Sequence, residues 1–497
     1  MSTLSGKTRL GLEILGAAAA LAIAGDTLLR ATPWGLNAFV CTAGLVAATA
    51  WLVRRGGIAA SGDAPWLAGT ALLLSSTFVA RDSGTLRAFD ALGLAILFSV
   101  AGLSLRGATL RGRYAWDYLV AGVTATASAC IGVLPLVARD VRWSELPSGG
   151  ALRYARGASV GALLAFPLLL VFGGLFASAD PVFGNLVTNA LHVDFTAVAS
   201  HTAFIVAGTA LAAGYFWGSV VRTTPPLPLT APPDLALGIV PVGTALGLLD
   251  VLFLVFVVVQ LRYFFGGTEL IQRTTDLTYA EYARHGFFEL VAASSLVLPI
   301  LLGGDWALRK EPREHQRMFR YLAGLLLVLL AVVMVSALRR VWLYVEEFGL
   351  SEIRLYATAF MAYLAGVFVW FGWTALRGQP RRFAFGALVQ GFAVLAGLHV
   401  LNPDAFIVRT NLTRPPSHRP FDASYAASLS ADAVPDLLAA FPRLDEREKC
   451  LAAARLLRRW TRDEDWRTWN LSRARARRRV REQEATLRAL PCKKHGS

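Results

Sequence analysis

The chain has 497 residues, of which 55% are hydrophobic and only 17% charged, and its formal net charge is +15. Ordinary soluble domains contain roughly 45–50% apolar and about 25% charged residues, so this composition excludes a typical soluble fold. The mean hydropathy of +0.49 predicts a membrane protein. In such a protein an excess of positive charge first suggests cytoplasmic loops and contact with anionic lipid, and only second nucleic acid binding.

Apolar runs of about 20 residues, the length that crosses a bilayer, recur as far as residue 401. Lys7 and Arg9 precede the first run as they would in a signal peptide, but the many spans that follow argue against cleavage. The third run is short enough to be re-entrant. Together the runs predict about twelve membrane helices, near residues 10–28, 34–53, 66–79, 91–105, 116–137, 160–176, 198–221, 237–261, 286–302, 322–338, 356–376 and 383–401.

These runs predict an all-α fold, a polytopic transmembrane helical bundle with a small helical C-terminal soluble region. Residues 1–157 would hold about five spans, and residues 158–402 would form a transmembrane core with a polar hinge segment at 262–285. Residues 403–497 would form a basic helical tail. The charged links between the spans are brief, so no soluble domain is expected within the bundle.

The charged links leave the orientation of the bundle open. Lys7, Arg54 and Arg106 favour a cytoplasmic N-terminus by the positive-inside rule. Arg139 and the cluster around Arg309 would then face outward, which is the wrong side for that rule. One miscounted span, with the third as the candidate, would resolve the conflict and move the tail to the opposite side. We expect a cytoplasmic tail, because an anionic leaflet would attract its basic stretch.

The tail begins after a proline-rich linker and has helical composition near residues 432–441, 446–460 and 464–490. The last of these segments combines Trp466 and Trp469 with a run of arginines. Such a segment is typical of a solvated basic face, or of a helix that binds anionic lipid headgroups or a protein partner. We expect no nucleic acid partner, because the tail has neither an RNA-binding motif nor zinc-ligand spacing.

The four cysteines predict no disulfide framework. Cys41 and Cys130 lie in apolar runs, Cys450 and Cys492 lie in the tail, and no CxxC pair occurs. We therefore expect reduced, structural cysteines.

The hinge segment is the most distinctive polar stretch between two spans. Thr278 and Glu281 have the spacing of a capping box, which predicts a helix that begins at Thr278. On that helix Glu281, His285 and Glu289 would share one face. We expect no metal there, because three ligands on one helix without a second cluster rarely make a site.

The link after residue 338 loosely repeats the hinge, since Tyr344-x-Glu346 matches Tyr279-x-Glu281. Two spans separate these links, so both must lie on one side of the membrane. We therefore predict a shared binding surface there. An interfacial aromatic belt, or a structural lock between the paired spans, would explain the same residues. The surface would consist of Tyr279, Glu281, Tyr282, Arg284, Tyr344, Glu346, Glu347 and Arg354.

Polar residues inside the spans are the second set of candidates, because an Asp near a span centre costs roughly 2.5–3.5 kcal/mol on insertion scales. Asp250 follows Gly243 and Gly247 at helical spacing, so it should point into the bundle. Gln390 lies on a similar stripe of the last span, and Glu289 is the third candidate. A hydrogen bond between Asp250 and Gln390 would clasp two helices, whereas an unclasped Asp250 could bind a proton or an ion.

Other carboxylates lie near the ends of spans, where a side chain can reach the interface. We expect these residues to snorkel. They are Glu13, Asp26, Asp90, Asp117 and Asp305.

The stretch LTYAEYARHGFFEL at 277–290 resembles the signature of bacterial integral membrane proteins grouped as domain of unknown function 4173. The resemblance extends from about residue 160 to residue 469 and implies a polytopic inner-membrane protein without an assigned activity. His285 lies where that family has variable, often charged residues, which further argues against a metal. Further similar positions are 177–183, 344–346, 349–350, 402–404, Arg409, Asn411, Asp422, Tyr425, 429–430, 432–433 and Pro435.

The sequence contains no phosphate-binding loop, HExxH motif or GxSxG elbow. We therefore predict a membrane scaffold or a signalling and regulatory partner, with a binding surface on the links 262–289 and 339–354. The alternatives are a proton- or ion-coupled transporter or channel that uses Asp250, and a lipid-modifying enzyme that acts through Glu281 or Asp180. We assign no catalytic residue and no cofactor, and we expect a location in the cell membrane, inner or plasma.

Overall fold

The computed structural model describes residues 4–145, 195–222, 238–265, 287–414 and 421–492, with a few single positions between 161 and 180. Within these residues the regular structure is entirely helical, so the predicted fold class is confirmed. Nine of the described helices are long and apolar enough to cross a membrane, and the chain is an integral, multi-pass membrane protein. The predicted count of twelve spans is not confirmed.

Twelve helices of the described chain belong to the bundle. The first six are α1 (Gly6–Leu29), α2 (Leu36–Arg55), α3 (Ala64–Ala80), α4 (Gly84–Leu105), α5 (Ala115–Ile131) and α6 (Val133–Asp140). The next six are α7 (Phe195–Phe216), α8 (Ile239–Phe265), α9 (Phe287–Ala307), α10 (Arg313–Phe348), α11 (Glu352–Thr374) and α12 (Phe383–Leu401). A π-helical turn, Trp217–Val221, extends α7.

The tail folds into six short helices: α13 (Pro403–Leu412), α14 (Ala423–Ser428), α15 (Val434–Ala440), α16 (Glu446–Trp460), α17 (Leu471–Glu482) and α18 (Glu484–Arg488). The predicted helix at 446–460 is therefore confirmed. The predicted helix at 464–490 is interrupted, because Asn470 caps α17 by accepting a hydrogen bond from Arg473 N at 3.0 Å. A side-chain acceptor at this position starts a new helix.

Contacts between the links divide the ends of the helices into two faces. On one face Leu110 N donates to Asp63 Oδ2 at 2.8 Å. There the guanidinium carbons of Arg309 and Arg381 lie 3.7 and 5.1 Å from the centroid of the Tyr114 ring. We call this side, which holds the links 56–63, 106–114, 308–312 and 375–382, the basic face. The opposite side, which holds the links 30–35, 81–83 and 349–351 together with the tail, is the tail face.

The third helix crosses the bundle, and the fifth does not. α3 begins on the basic face and ends before Arg81 on the tail face. α1 begins on the basic face, where Arg55 Nη2 lies 3.3 Å from Glu13 Oε1. The chain returns to this face after α6, because Ser5 N donates to Glu145 Oε2 at 3.0 Å. The expectation of a re-entrant third run was therefore wrong, and the fifth run is the one that turns back.

The turn has a local cause, a bend of 51° between α5 and α6. Pro135 cannot donate a helical hydrogen bond. Gly132 allows close contact with α7, since a Cβ there would lie 2.9 Å from Gly214 O. Because the chain turns back here, Arg139 and Arg142 lie on the basic face. The described N-terminal residues and the tail consequently lie on opposite faces.

The described residues form four apolar clusters, and two of these show how the bundle and the tail are joined. The bundle core is centred on α10, which has 36 residues and at 1.5 Å per residue is about 54 Å long, well beyond the roughly 30 Å hydrocarbon layer. The tail has its own core, which includes Leu437, Leu456 and Val480. Leu350 and Leu355 from the link after α10 and from α11 are part of that tail core, so the tail is packed onto the bundle.

The expectation of reduced cysteines was wrong for the tail. Cys450 in α16 and Cys492 after α18 form a disulfide across 42 residues of sequence. The tail core brings the end of the described chain back beside α16, a proximity that no local spacing could indicate. Cys41 and Cys130 are free, as expected.

Candidate functional site

The tail caps the end of α3 on the tail face. The last carbonyls of a helix have no partner within it. Asn470 Nδ2 donates to Phe78 O and Arg81 O at 2.8 and 2.7 Å, and Ser472 Oγ donates to Ala80 O at 2.9 Å. Side chains of α17 and of its N-cap thus complete the hydrogen bonding of a membrane helix almost 400 residues earlier in the sequence.

A buried ion-pair network lies beside this cap. Arg473 Nη1 contacts Asp82 Oδ1 at 2.6 Å, and the two residues are only 4% and 3% exposed. Asp432 accepts from Asp82 N at 2.7 Å, from Ser472 Oγ at 2.6 Å and from Arg81 Nη1 at 3.3 Å. We call these five residues the junction. Removal of one partner from such a buried pair leaves an uncompensated charge and costs about 3–5 kcal/mol.

The link 349–351 is attached to the tail through main-chain contacts. The Asn411 side chain forms two hydrogen bonds with the backbone of Leu350. Its Oδ1 accepts from Leu350 N at 2.7 Å, and its Nδ2 donates to Leu350 O at 2.9 Å. Arg414 Nη2 donates to Glu346 O at 2.6 Å. Gly349 has φ +82°, and a Cβ there would lie 2.6 Å from Arg414 Nη1. Only glycine fits this position without strain.

The link 30–35 approaches the tail equally closely. Leu36 N donates to Trp469 O at 3.0 Å, and a Cβ on Gly35 would lie 2.5 Å from both Thr468 O and Trp469 O. Arg467 Nη1 donates to Thr27 O at 2.6 Å. The described tail residues therefore hold three links of the tail face. We call this unit the platform; it consists of residues 403–414 and 421–492 together with the links 30–35, 81–83 and 349–351.

Asp404 is a further buried titratable group of the platform. Its Oδ2 accepts a hydrogen bond from Ser430 N at 3.3 Å. Its Oδ1 has no hydrogen-bond partner in the described part of the chain. Burial raises the pKa of Asp404 to about 6, and the nearby negative charges of Glu352 and Asp432 act in the same direction. The carboxyl is therefore a group that changes its charge near neutral pH.

The structure describes one of the two links of the predicted shared surface. The predicted bounds 339–354 were wrong, because one helix continues to Phe348 and the next begins at Glu352, so the link itself is 349–351. The Arg354 guanidinium carbon lies 4.2 Å from the centroid of the Tyr344 ring, and Arg354 Nη1 also donates to Gly349 O. Glu346 contributes its carbonyl oxygen to Arg414. Tyr279, Glu281, Tyr282 and Arg284 lie outside the described residues, so the shared surface stays a prediction.

The approach to the hinge is consistent with the predicted side. Gln260 Oε1 accepts from Ser336 Oγ and Arg340 Nη2, both at 2.9 Å. These residues lie towards the end of α10 that reaches the tail face, so the chain enters the hinge from the side that holds the link 349–351. Glu289 is exposed in the first turn of α9, where the helix dipole favours a carboxylate.

The two remaining intramembrane candidates do not meet. Gln390 Nε2 donates to Tyr363 O at 2.9 Å and so ties α12 to α11. Asp250 is 4% exposed, and neither of its carboxylate oxygens has a hydrogen-bond partner among the residues that the structure describes. Gly243, on the same face of α8, approaches Met318 of α10. The hypothesis of an Asp250 to Gln390 clasp is wrong, because the two stripes face different helices.

Sequence reasoning missed a second buried pair. Asp90 is 1% exposed, and its Oδ1 lies 2.8 Å from His399 Nε2, while its Oδ2 accepts from Thr77 Oγ1 at 2.8 Å. Asp26 is likewise buried between Arg30 and His201. The expectation that these two carboxylates snorkel was wrong. Their histidine partners come from distant helices, so the local pattern could not have identified them, whereas Arg30 lies one helical turn after Asp26.

The junction was missed for the same reason, although part of it lies among the positions of the family resemblance. Asp404, Asn411, Tyr425 and Asp432 all belong to the positions noted there, and the structure brings them together at the platform. Asp82 and Arg473 were not singled out. A family model described as Domain of unknown function (DUF4153) matches residues 68–440, from α3 to the end of α15.

The match covers most of the chain, and the narrower resemblance to domain of unknown function 4173 is not confirmed. No curated protein and no solved structure matches the chain. The matched residues include the link 81–83, the link 349–351 and the first part of the tail, which are three components of the platform. The chain therefore belongs to the family Domain of unknown function (DUF4153).

Proposed function

We propose that this membrane protein is a scaffold that presents the platform to a protein partner at the cell membrane. The observation that supports the proposal is the buried contact of Arg473 with Asp82, next to Asp432. A buried ion pair adds little net stability over an apolar contact, and its best-attested use is to specify one arrangement. A chain that needed only to anchor its tail could do so with the apolar tail core.

We further propose that the basic face is cytoplasmic and that the platform lies outside the cytoplasm, contrary to the sequence-based expectation. Two observations support this orientation. The links of the basic face are rich in arginine, as the positive-inside rule requires of cytoplasmic links. The tail contains a disulfide, and disulfides persist in oxidising compartments. The basic residues of these links are Arg106, Arg111, Arg113, Arg309, Lys310, Arg377, Arg381 and Arg382, and Arg54 and Arg55 lie in the last turn of α2 on the same face.

Some arginines of the tail are paired with carboxylates. Arg477 contacts Glu464, Arg481 contacts Asp463, and Arg467 contacts Asp465. These ion pairs order part of the arginine run, and the net positive charge of the tail is unchanged. Trp466 remains 69% exposed beside Trp469 at 42%. Exposed tryptophan and arginine are typical centres of protein interfaces.

Site-specific photo-crosslinking in cells tests the scaffold proposal. A photoreactive residue in place of Trp466 should give a discrete protein adduct. The matched control is Trp66, which is 79% exposed on α3 near the basic face and should give none. The adduct should disappear when Arg473→Ala loosens the platform. Equal products from both positions, or no product from either, would contradict the proposal.

A second candidate function, proton- or ion-coupled transport, is supported by Asp250. A carboxylate that is buried within a membrane span and unpaired among the described residues is a functional-site candidate by default. The test is proton flux into proteoliposomes of the purified protein, measured with an internal pH dye. Asp250→Asn should abolish flux and leave thermal stability nearly unchanged, whereas Gln390→Leu should lower stability and spare flux. No flux in the unsubstituted protein would exclude this candidate.

No observation favours a lipid-modifying enzyme, since Asp180 is exposed and Glu281 lies outside the described residues.

A further inference from the structure

A cavity of about 530 Å³ opens on the basic face, on the opposite side of the membrane from the platform. Three links meet there: the end of the link 106–114, the link 308–312 with the start of α10, and the link 375–382. Phe319 and Leu308 form a buried apolar floor. The volume falls within the range of about 300–1,000 Å³ that small-molecule sites occupy.

The charge around the cavity is strongly positive. Its lining includes Arg309, Arg320, Arg381 and Arg382, against the single carboxylate of Asp305. None of the four guanidinium groups forms a salt bridge within 4.0 Å among the described residues. The tail offers a contrast, since Arg467, Arg477 and Arg481 each contact a carboxylate there. Four arginines that face one space without such partners repel one another unless an anion binds between them.

Two of these arginines are held in place by an aromatic ring. Tyr114 contacts both Arg309 and Arg381, whose guanidinium carbons are 3.7 and 5.1 Å from its centroid. Stacking restricts the Arg309 guanidinium group and leaves its N–H edge free to donate, and the Arg381 side chain is hydrogen-bonded to Tyr114. Arginine forks match phosphate oxygens with two parallel hydrogen bonds, so the residue types favour phosphate over a simple halide.

The level of the cavity relative to the membrane indicates where the anion comes from. Trp373 is exposed at the end of α11, and the Arg377 guanidinium carbon lies 3.8 Å from the centroid of its ring. Exposed tryptophan next to arginine is typical of the headgroup layer. Gly378, which lines the cavity, follows Arg377 directly. The opening therefore lies at the height of lipid headgroups, and basic pockets between membrane helices are known to bind anionic headgroups.

We propose that this cavity binds a phosphate-bearing anion, presented by the headgroup of an anionic phospholipid. The four arginines bind the phosphate oxygens. Tyr114 positions Arg309 and Arg381, and the apolar floor contacts the glycerol and first acyl carbons. The site is distinct from the platform, and its occupancy does not depend on the scaffold proposal.

Native mass spectrometry of the delipidated full-length protein tests the site. The probes are tetraoleoyl cardiolipin, dioleoyl phosphatidylglycerol, dioleoyl phosphatidylcholine and sodium pyrophosphate. The two anionic lipids should bind more tightly than phosphatidylcholine. The double variant R309Q/R381Q should weaken cardiolipin binding by about tenfold or more, as expected for lost charge-assisted contacts. Displacement of cardiolipin by pyrophosphate would identify a soluble phosphate compound as the source, and resistance to displacement would identify the lipid.

The matched control is R54Q/R139Q, which removes two exposed arginines from the same face outside the cavity. This control should change cardiolipin binding by less than about twofold, because neither residue lines the cavity and exposed charges are screened by salt. If R309Q/R381Q does not fold, R309K/R381K keeps the charge and loses the paired fork, and it should still weaken binding. Equal cardiolipin affinity in the unsubstituted protein and in the folded arginine variant would overturn the proposal. An equal loss in the control would overturn it too.

Discussion

Replacement of Arg473 by methionine should loosen the tail from the bundle without unfolding the bundle itself. The substitution removes the contacts of Arg473 with Asp82 and Glu464 and leaves Asp82 buried. Loss of one partner of a buried pair costs about 3–5 kcal/mol. Asp82 keeps Ala431 N at 3.1 Å and Arg87 Nη2 at 3.4 Å, so we expect the lower end, about 3 kcal/mol. That loss corresponds to roughly a hundredfold increase in local opening.

Hydrogen exchange measured by mass spectrometry on the full-length protein can detect this opening. Exchange should accelerate in peptides that cover α17 and the link 81–83, while peptides from α10 stay protected. The matched control is Arg478→Met in the same helix, where an exposed pair with Glu482 at 3.7 Å is worth well under about 1 kcal/mol. The double variant D82N/R473M should lower the free energy of local opening by less than the sum of the losses in the two single variants. Equal acceleration of exchange in R473M and R478M, or no acceleration in either, would show that the buried pair of Arg473 and Asp82 does not hold the tail.

Three further outcomes are expected. The pKa of Asp404 is raised from its ordinary value of 3.8 to about 6 in the folded protein. Between these two pH values the folded tail therefore binds more protons than the unfolded tail. Its stability should therefore fall as pH rises from about 4 to about 6, and D404N should remove this dependence in tail exchange measured at pH 5 and pH 7. Alkaline phosphatase fused after residue 497 should be active if the tail lies outside the cytoplasm, and an inactive fusion would contradict that orientation. Reductant should change the mobility of the protein on gels by opening the tail disulfide, and C450S should abolish this change. Gly349→Ala should lower the unfolding temperature more than Gly57→Ala. Both glycines have positive φ, but of the two only residue 349 lacks room for a Cβ. Equal decreases in unfolding temperature would mean that the close approach of Arg414 does not matter.

The bundle is the part of the molecule that local composition predicts well. A membrane helix must satisfy its backbone within itself and must be about 20 apolar residues long, and both requirements can be read from one stretch of sequence. The fifth run met the length requirement and still did not cross. Its bend involves Gly132 and its contact with α7, whose sequence lies about 80 residues later. A bend that needs a distant helix is a tertiary event, and this one event decided the face on which the tail lies.

The candidate binding residues likewise divide into features that the local sequence predicts and contacts that only the packing of distant helices determines. The sequence alone predicted that Asp250 points inward and that the helix at 446–460 forms, because helical periodicity and capping are local. Only the tertiary structure decided that Asp82 meets Arg473, that Asp90 meets His399, and that Tyr114 contacts two arginines of separate links. The physical reason is that a buried charge needs a partner but does not specify where in the chain that partner lies. Packing of distant helices selects it.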